Sequence, residues 1–317
     1  MTTTTEHPST ESRFKEAWRD PSLRLQRMLA MVLLICQGGI TVTGSLVRVT
    51  GSGLGCDTWP LCHEGSLVPV AGASPWIHQA IEFGNRTLTF VVAAAAVLVL
   101  LAVIRAGRSK IIRELAWTSL FGVVFQAIVG GISVLLDLRW WSVAVHFLPS
   151  MILVWIAAIL YMRIAESDDE LPTRRYPARA QTWTVIAAVA LCFVLVTGTM
   201  VTGSGPHSGD SGIGMEGRLQ LDTRVLAYVH AICMYLYLIS TLIVTVLLHR
   251  NGAPEDAKRT AWVLVALIVV QWAIGVIQFR MGVPRWTIPV HIGMSSTVVA
   301  FSAFLFAHGK RRLPTLV

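Results

Sequence analysis

The residues best suited to chemistry are four histidines and one glutamate that lie within apolar stretches: His78 and Glu82, His146, His230 and His291. Ionisable side chains are costly inside a bilayer and usually mark a functional site there. His230 and His291 belong to different apolar stretches and lie at similar depth. Imidazoles that face each other from neighbouring helices of a four-helix bundle can hold a haem iron from both sides. The competing reading of any single histidine is a hydrogen-bonded residue that stabilises helix packing. Glu82 suits proton transfer or the stabilisation of a developing positive charge. Arg86 follows it at i+4, so an intrahelical ion pair is the alternative. His78 lies one turn before Glu82. It can serve as a replacement iron ligand, as a propionate partner, or as an interfacial histidine in water.

An internal duplication sharpens these assignments. Gln126-Ala-Ile-Val-Gly130 aligns with Gln271-Trp-Ala-Ile-Gly275, an offset of 271 − 126 = 145. Trp141-Ser-Val-Ala-Val-His146 aligns with Trp286-Thr-Ile-Pro-Val-His291 at the same offset. Val42-Thr-Gly resembles Val196-Thr-Gly, at 196 − 42 = 154. His291 therefore maps onto His146, whereas His230 maps onto Asn85, a poor iron ligand. Glu82 maps onto Ala227. The C-terminal half carries both ligand positions, and the N-terminal half has lost one and gained an acid. One half reads as a permanent haem site. The other reads as an open position suited to a substrate.

The chain has five cysteines. Cys36, Cys192 and Cys233 fall in apolar segments and read as small packing residues. Cys56 and Cys62 share the loop Gly55-Cys-Asp-Thr-Trp-Pro-Leu-Cys-His63, which the charge pattern puts on the oxidising side, so a disulfide is expected. A zinc site with His63 lacks an evident fourth ligand. Thiol exchange with an outside carrier is a further reading of the pair. The second half has no matching cysteines.

These residues need a scaffold that holds them at depth. Of 317 residues, 54% are hydrophobic and 14% are charged, with mean hydropathy +0.62. Soluble domains carry about 25% charged residues. The balance excludes a disordered chain and argues against a nucleic-acid partner despite the net charge of +8. Eight stretches approach the roughly 20 apolar residues a membrane helix needs: 26–48, 77–104, 115–136, 141–162, 181–202, 223–248, 260–280 and 287–308. The expected fold is all-α and integral to the membrane, with eight transmembrane helices as two tandem pseudo-symmetric four-helix bundles. The divisions are an arm at 1–25, a first unit at 26–164, a linker at 165–180, a second unit at 181–308 and a tail at 309–317. Nineteen of the 26 Lys and Arg residues fall on one side. By the positive-inside rule both termini are cytoplasmic and the protein is multi-pass in the plasma membrane. The first 24 residues are polar, with four acids, so no secretory signal peptide is expected.

The motifs Thr50-Gly-Ser-Gly-Leu-Gly-Cys56, Trp59-Pro-Leu-Cys62, Ile81-Glu-Phe-Gly-Asn-Arg86, Val145-His146-Phe147, Val229-His230 and Val290-His291 carry a resemblance. The sequence resembles the haem A synthase family over about 26–308. The resemblance implies haem b held by His230 and His291, and a haem O substrate in the N-terminal unit with His146 as its iron ligand. It implies oxidation of a ring methyl group, through an alcohol, to the formyl group of haem A used by terminal oxidases. Glu82 matches the family's acidic residue, and Cys56 and Cys62 match its outer pair. The family commonly reads Glu-x-x-His-Arg where this chain has Asn85, so His146 acts alone or His78 substitutes. Arg86, Arg139, Arg224 and Arg285 are candidate propionate partners, with interface anchoring as the alternative. Haem O synthase and an electron donor are candidate partners beside the lipid bilayer, and oligomers are open. A b-type haem protein that oxidises quinol, and a haem carrier without chemistry, are the alternative functions.

Overall fold

The computed structural model describes residues 18–207 and 217–312. Eight long helices follow one another: α1 Leu23–Val49, α2 Trp76–Arg105, α3 Lys110–Leu135, α4 Trp140–Ile164, α5 Ala178–Ser204, α6 Thr223–Arg250, α7 Glu255–Arg280 and α8 Thr287–His308. All eight are long and apolar enough to cross a membrane, and lipid leaves backbone groups no partners except those within the helix itself. Local chemistry sets the ends. The Ser22 hydroxyl accepts from Leu25 N–H at the start of α1, and the Asp222 carboxylate accepts from Arg224 and Val225 N–H at the start of α6. Pro75, Pro177 and Pro254 stand just before α2, α5 and α7. Gly107 and Gly252 close α2 and α6 with left-handed φ of 60° and 62°.

Two helices begin a full five residues earlier than hydropathy alone suggests. α3 starts at Lys110 rather than 115, and α7 at Glu255 rather than 260. Their first turns are charged but still helical, because a helix does not stop where the apolar run stops. The 165–180 linker and the C-terminal tail are not separate. Thr173–Arg174 (β1) pairs antiparallel with Lys310–Arg311 (β2).

Each half forms a closed ring of four helices. α1 packs on α2 and α4, and α3 packs on α2 and α4. α5 packs on α6 and α8, and α7 packs on α6 and α8. Between the halves, α4 meets α8, α1 meets α8 and α4 meets α5. These contacts are what a pseudo-two-fold axis through the α4–α8 contact requires. Met151 and Ser296 are repeat mates (151 + 145 = 296), and they touch each other, Ser296 Oγ to Met151 Sδ at 3.8 Å. Ser296 also meets Thr41 Oγ1 of α1 at 2.8 Å. The turns at the far end repeat too: Leu138 and Val283 (138 + 145) are both left-handed, with φ of 52° and 61°.

The face that carries the chain ends is tied by charge. The Arg108 guanidinium donates to Asp168 Oδ2 (2.6 Å), Gln26 Oε1 and the Ile164 and Glu166 carbonyls. Burial opposes ionisation of Asp168, but hydrogen bonds from Arg108 and Ser109 outweigh it and hold the carboxyl below its ordinary range. Arg311 bridges Glu166 and Asp256, joining the two halves. On the opposite face Arg48 of α1 donates to the His207 and Thr202 carbonyls of the second half, at 2.7 and 3.1 Å.

Candidate functional site

The named histidines lie near the face opposite the chain ends. His146 and Glu82 each sit six residues inside their helices (146 − 140 and 82 − 76), about 9 Å at 1.5 Å rise per residue. Each of the three bundle histidines rests on a glycine of a neighbouring helix. A Cβ at Gly275 would stand 3.3 Å from His291 Cε1, one at Gly198 3.2 Å from His230 Cε1, and one at Gly130 3.0 Å from His146 Cε1. Gly130 and Gly275 are repeat mates (130 + 145), so α3–α4 and α7–α8 build the same seat.

The other pair of helices shows where the halves part. Thr197 Oγ1 contacts His230 Nδ1 at 3.1 Å. Its mate Thr43 (197 − 154) donates to Asn85 Oδ1 at 2.7 Å. The hydrogen bond persists while the imidazole is gone. Among the described residues, a Cβ at Gly44, the mate of Gly198, would meet nothing within 4 Å. The space given to an imidazole in the second half is thus left open in the first. In the second half the donor set fits a haem iron. Thr197 holds Nδ1 of His230, the arrangement that orients the opposite ring nitrogen toward a metal.

Glu82 is buried, at 4% exposure. Its Oε2 accepts from Cys56 N–H at 2.7 Å, and its Oε1 accepts from Arg86 Nη2 at 2.6 Å and Nε at 3.1 Å. Arg86 also donates to the Leu61 and Cys56 carbonyls. The intrahelical ion pair is therefore formed, and it clamps the cysteine loop down on α2. Cys56 and Cys62 form a disulfide. His63 bridges Asp57 Oδ1 and Gln79 Oε1, which leaves the zinc reading without its ligands. Gln79 further donates to the Val70 and Ser74 carbonyls. His78 Nδ1 contacts Ser52 Oγ at 2.8 Å, which fastens the loop's entry. Gly55 is required by close approach: a Cβ there would collide with the His78 backbone.

The loop also enters the bundle. A Cβ at Gly131 of α3 would collide with the ring of Trp59. Gly131 adjoins Gly130, the seat of His146, so Trp59 packs on α3 one residue along from that seat. The repeat mate of Gly131 is Val276 (131 + 145), which would block such an entry. That difference was readable in the sequence, whereas the Ser52, Gln79 and Thr43 contacts carried no signal there. Of the remaining arginines, Arg139, Arg224 and Arg285 are exposed at helix starts on this face, and among the described residues none is in an ion pair. Arg285 lines an open groove of about 350 Å³ with Leu46, Thr50 and Trp286.

The profile of the COX15-CtaA family, described as cytochrome oxidase assembly protein, matches residues 27–208, more than half of the chain. The chain belongs to this family. The matched cytochrome oxidase assembly segment contains the Cys56–Cys62 loop, Glu82 and His146. Similar curated proteins are named heme A synthase. One from Staphylococcus saprophyticus is 30% identical over 182 residues, 55% of this chain and 58% of that protein. One from Bacillus licheniformis is 26% identical over 266 residues, 78% and 84% of the two chains. One from Staphylococcus aureus is 27% identical over 276 residues, 79% and 85%. The chain thus spans little more than half the length of the S. saprophyticus relative and most of the other two.

Proposed function

We propose that the protein is a membrane oxidoreductase that oxidises a ring methyl group of haem O, through an alcohol, to the formyl group of haem A. The observation that carries this reading is the asymmetry of the repeat: His230 and His291 with their Thr197 and glycine seats in one half, Asn85 with an open Gly44 in the other. Haem b, held by His230 and His291, supplies one-electron chemistry when bound. His146 holds the iron of the substrate haem, with His78 in reserve as a second ligand on release from Ser52. Glu82 serves as the acid–base group or charge stabiliser. Arg86 occupies Oε1 with two N–H donors, whereas Oε2 accepts only the Cys56 N–H, so Oε2 is the oxygen with a lone pair left to take up or release a proton. Trp59 and the disulfide loop exclude water from the reacting carbon. Arg139, Arg224 and Arg285 reach propionates at the same face.

The lysine and arginine bias supports a plasma-membrane location with both termini cytoplasmic and the disulfide outside. A quinol-oxidising cytochrome, or a carrier, would leave Glu82 and the lid over the altered half without a task. The test is co-expression with a haem O supply, followed by mass identification of the extracted pigments. The reading expects haem b with haem A or haem O from the wild type, and haem b without haem A from Glu82→Ala. Undiminished haem A in that variant removes Glu82 from the chemistry.

A further inference from the structure

Among the described residues, no group engages the buried amide of Gln126. It lies in α3 one turn from Gly130, the glycine under His146, and is only 9% exposed. Neither its Nε2 nor its Oε1 has a hydrogen-bond partner among the described residues. Its repeat mate Gln271 (126 + 145) shares the unpartnered Oε1 among the described residues but differs at the nitrogen. Gln271 Nε2 donates to the His291 carbonyl at 3.1 Å and to Ser295 Oγ at 2.8 Å, bracing the haem-b ligand's helix. The same two acceptors exist in the first half, since Ser150 Oγ bonds the His146 carbonyl just as Ser295 Oγ bonds that of His291. Gln126 uses neither.

An unmet buried amide costs roughly 1–3 kcal/mol per group. A partner that satisfies both of its atoms must donate and accept at once. A carboxylate only accepts, and a porphyrin edge does neither. A hydroxyl does both. We propose that Gln126 is a specificity-determining residue that binds a hydroxyl borne by the substrate porphyrin; this rests on the functional reading above. Two hydroxyls share that chemistry: one on the substrate's long alkyl side chain, and the alcohol formed at the reacting carbon. Holding the alcohol would keep it bound between the two oxidation stages.

The experiment uses full-length protein in detergent, with haem b at His230 and His291 certifying the fold. Absorbance titrations with haem O, and with haem b, which lacks the hydroxyalkyl chain, are run on wild type and Gln126→Leu. Gln126→Met, also unable to hydrogen-bond through an amide, replaces Leu if that variant loses its haem. A drop of about tenfold or more in haem O affinity, with haem b affinity at the substrate site unchanged, supports the side-chain hydroxyl. Release of the alcohol in place of haem A, at unchanged haem O affinity, supports the reacting-carbon hydroxyl. Equal weakening of both haems, or no change in affinity and product ratio, overturns the proposal and assigns the amide to packing or a bound water. A wild type that neither prefers haem O nor forms haem A overturns the functional reading first.

Discussion

Gly131→Ala is the smallest change that should unseat the lid. The added methyl would collide with three carbons of the Trp59 ring, so the indole has to shift off α3. A buried tryptophan covers 150–250 Å². Trp59 is only partly buried, so roughly 100 Å² returns to solvent or lipid. At about 25 cal/mol per Å² this is about 2.5 kcal/mol, an upper figure. The docked-to-undocked ratio of the loop should fall by between one and two decades. Alanine is otherwise better than glycine in a helix by up to about 1 kcal/mol, so helix propensity pulls the other way and cannot mimic the effect. Amide hydrogen exchange over residues 52–66 reads the docking directly. Exchange there should accelerate about 10- to 100-fold and haem A formation should fall, while haem b remains bound. Gly84→Ala is the control, because a Cβ at Gly84 meets nothing within 4 Å although Glu82 and Asn85 flank it. Wild-type exchange in Gly131→Ala would refute the assignment of Trp59 as a cover that depends on this notch.

Glu82→Gln should lower haem A formation by at least about 100-fold with haem b content unchanged, by analogy with the loss of a positioned acid–base group; the check is extracted haem A per haem b. Glu82→Ala should also destabilise the loop, since removing one partner of a buried pair leaves Arg86 uncompensated at a cost of about 3–5 kcal/mol; loop exchange measures it. Thr197→Val should shift the haem-b spectrum or midpoint potential by freeing His230 Nδ1, whereas Thr43→Val should leave both unaltered. Asp168 has a lowered folded value, so its contribution is complete above the ordinary carboxylate value of about 4 and is lost as pH falls through the lower one. Acid melting of the solubilised wild type should therefore steepen below about pH 4, and Asp168→Asn should be less stable above that pH and flatter below it.

The eight helices were legible because lipid imposes long apolar runs, and the two-unit plan because the halves still align. The Asn85 gap and the acid Glu82, which has no acidic repeat mate, were legible for the same reason: a duplication supplies an internal reference. The charged first turns of α3 and α7 were missed, since hydropathy reports the lipid contact and not the helix end. The clamp from Glu82 through Arg86 to the Cys56 and Leu61 carbonyls needs the loop's backbone path, which no residue pattern encodes. The same holds for Gln79, whose amide gathers three loop segments. The Trp59 notch sits between these cases. Gly131 against Val276 was visible in the alignment of the halves, but nothing there said that an indole from another loop fills it.

Of the two halves, only the C-terminal one carries both histidines of an iron clamp. Low-spin signals counted per chain by electron paramagnetic resonance test it most directly, on protein purified without a haem O supply. One six-coordinate centre per chain is expected, abolished by His230→Ala or by His291→Ala and retained in His146→Ala. Two equivalent six-coordinate centres per chain, or one that vanishes with His146 and survives the loss of His230, would contradict it.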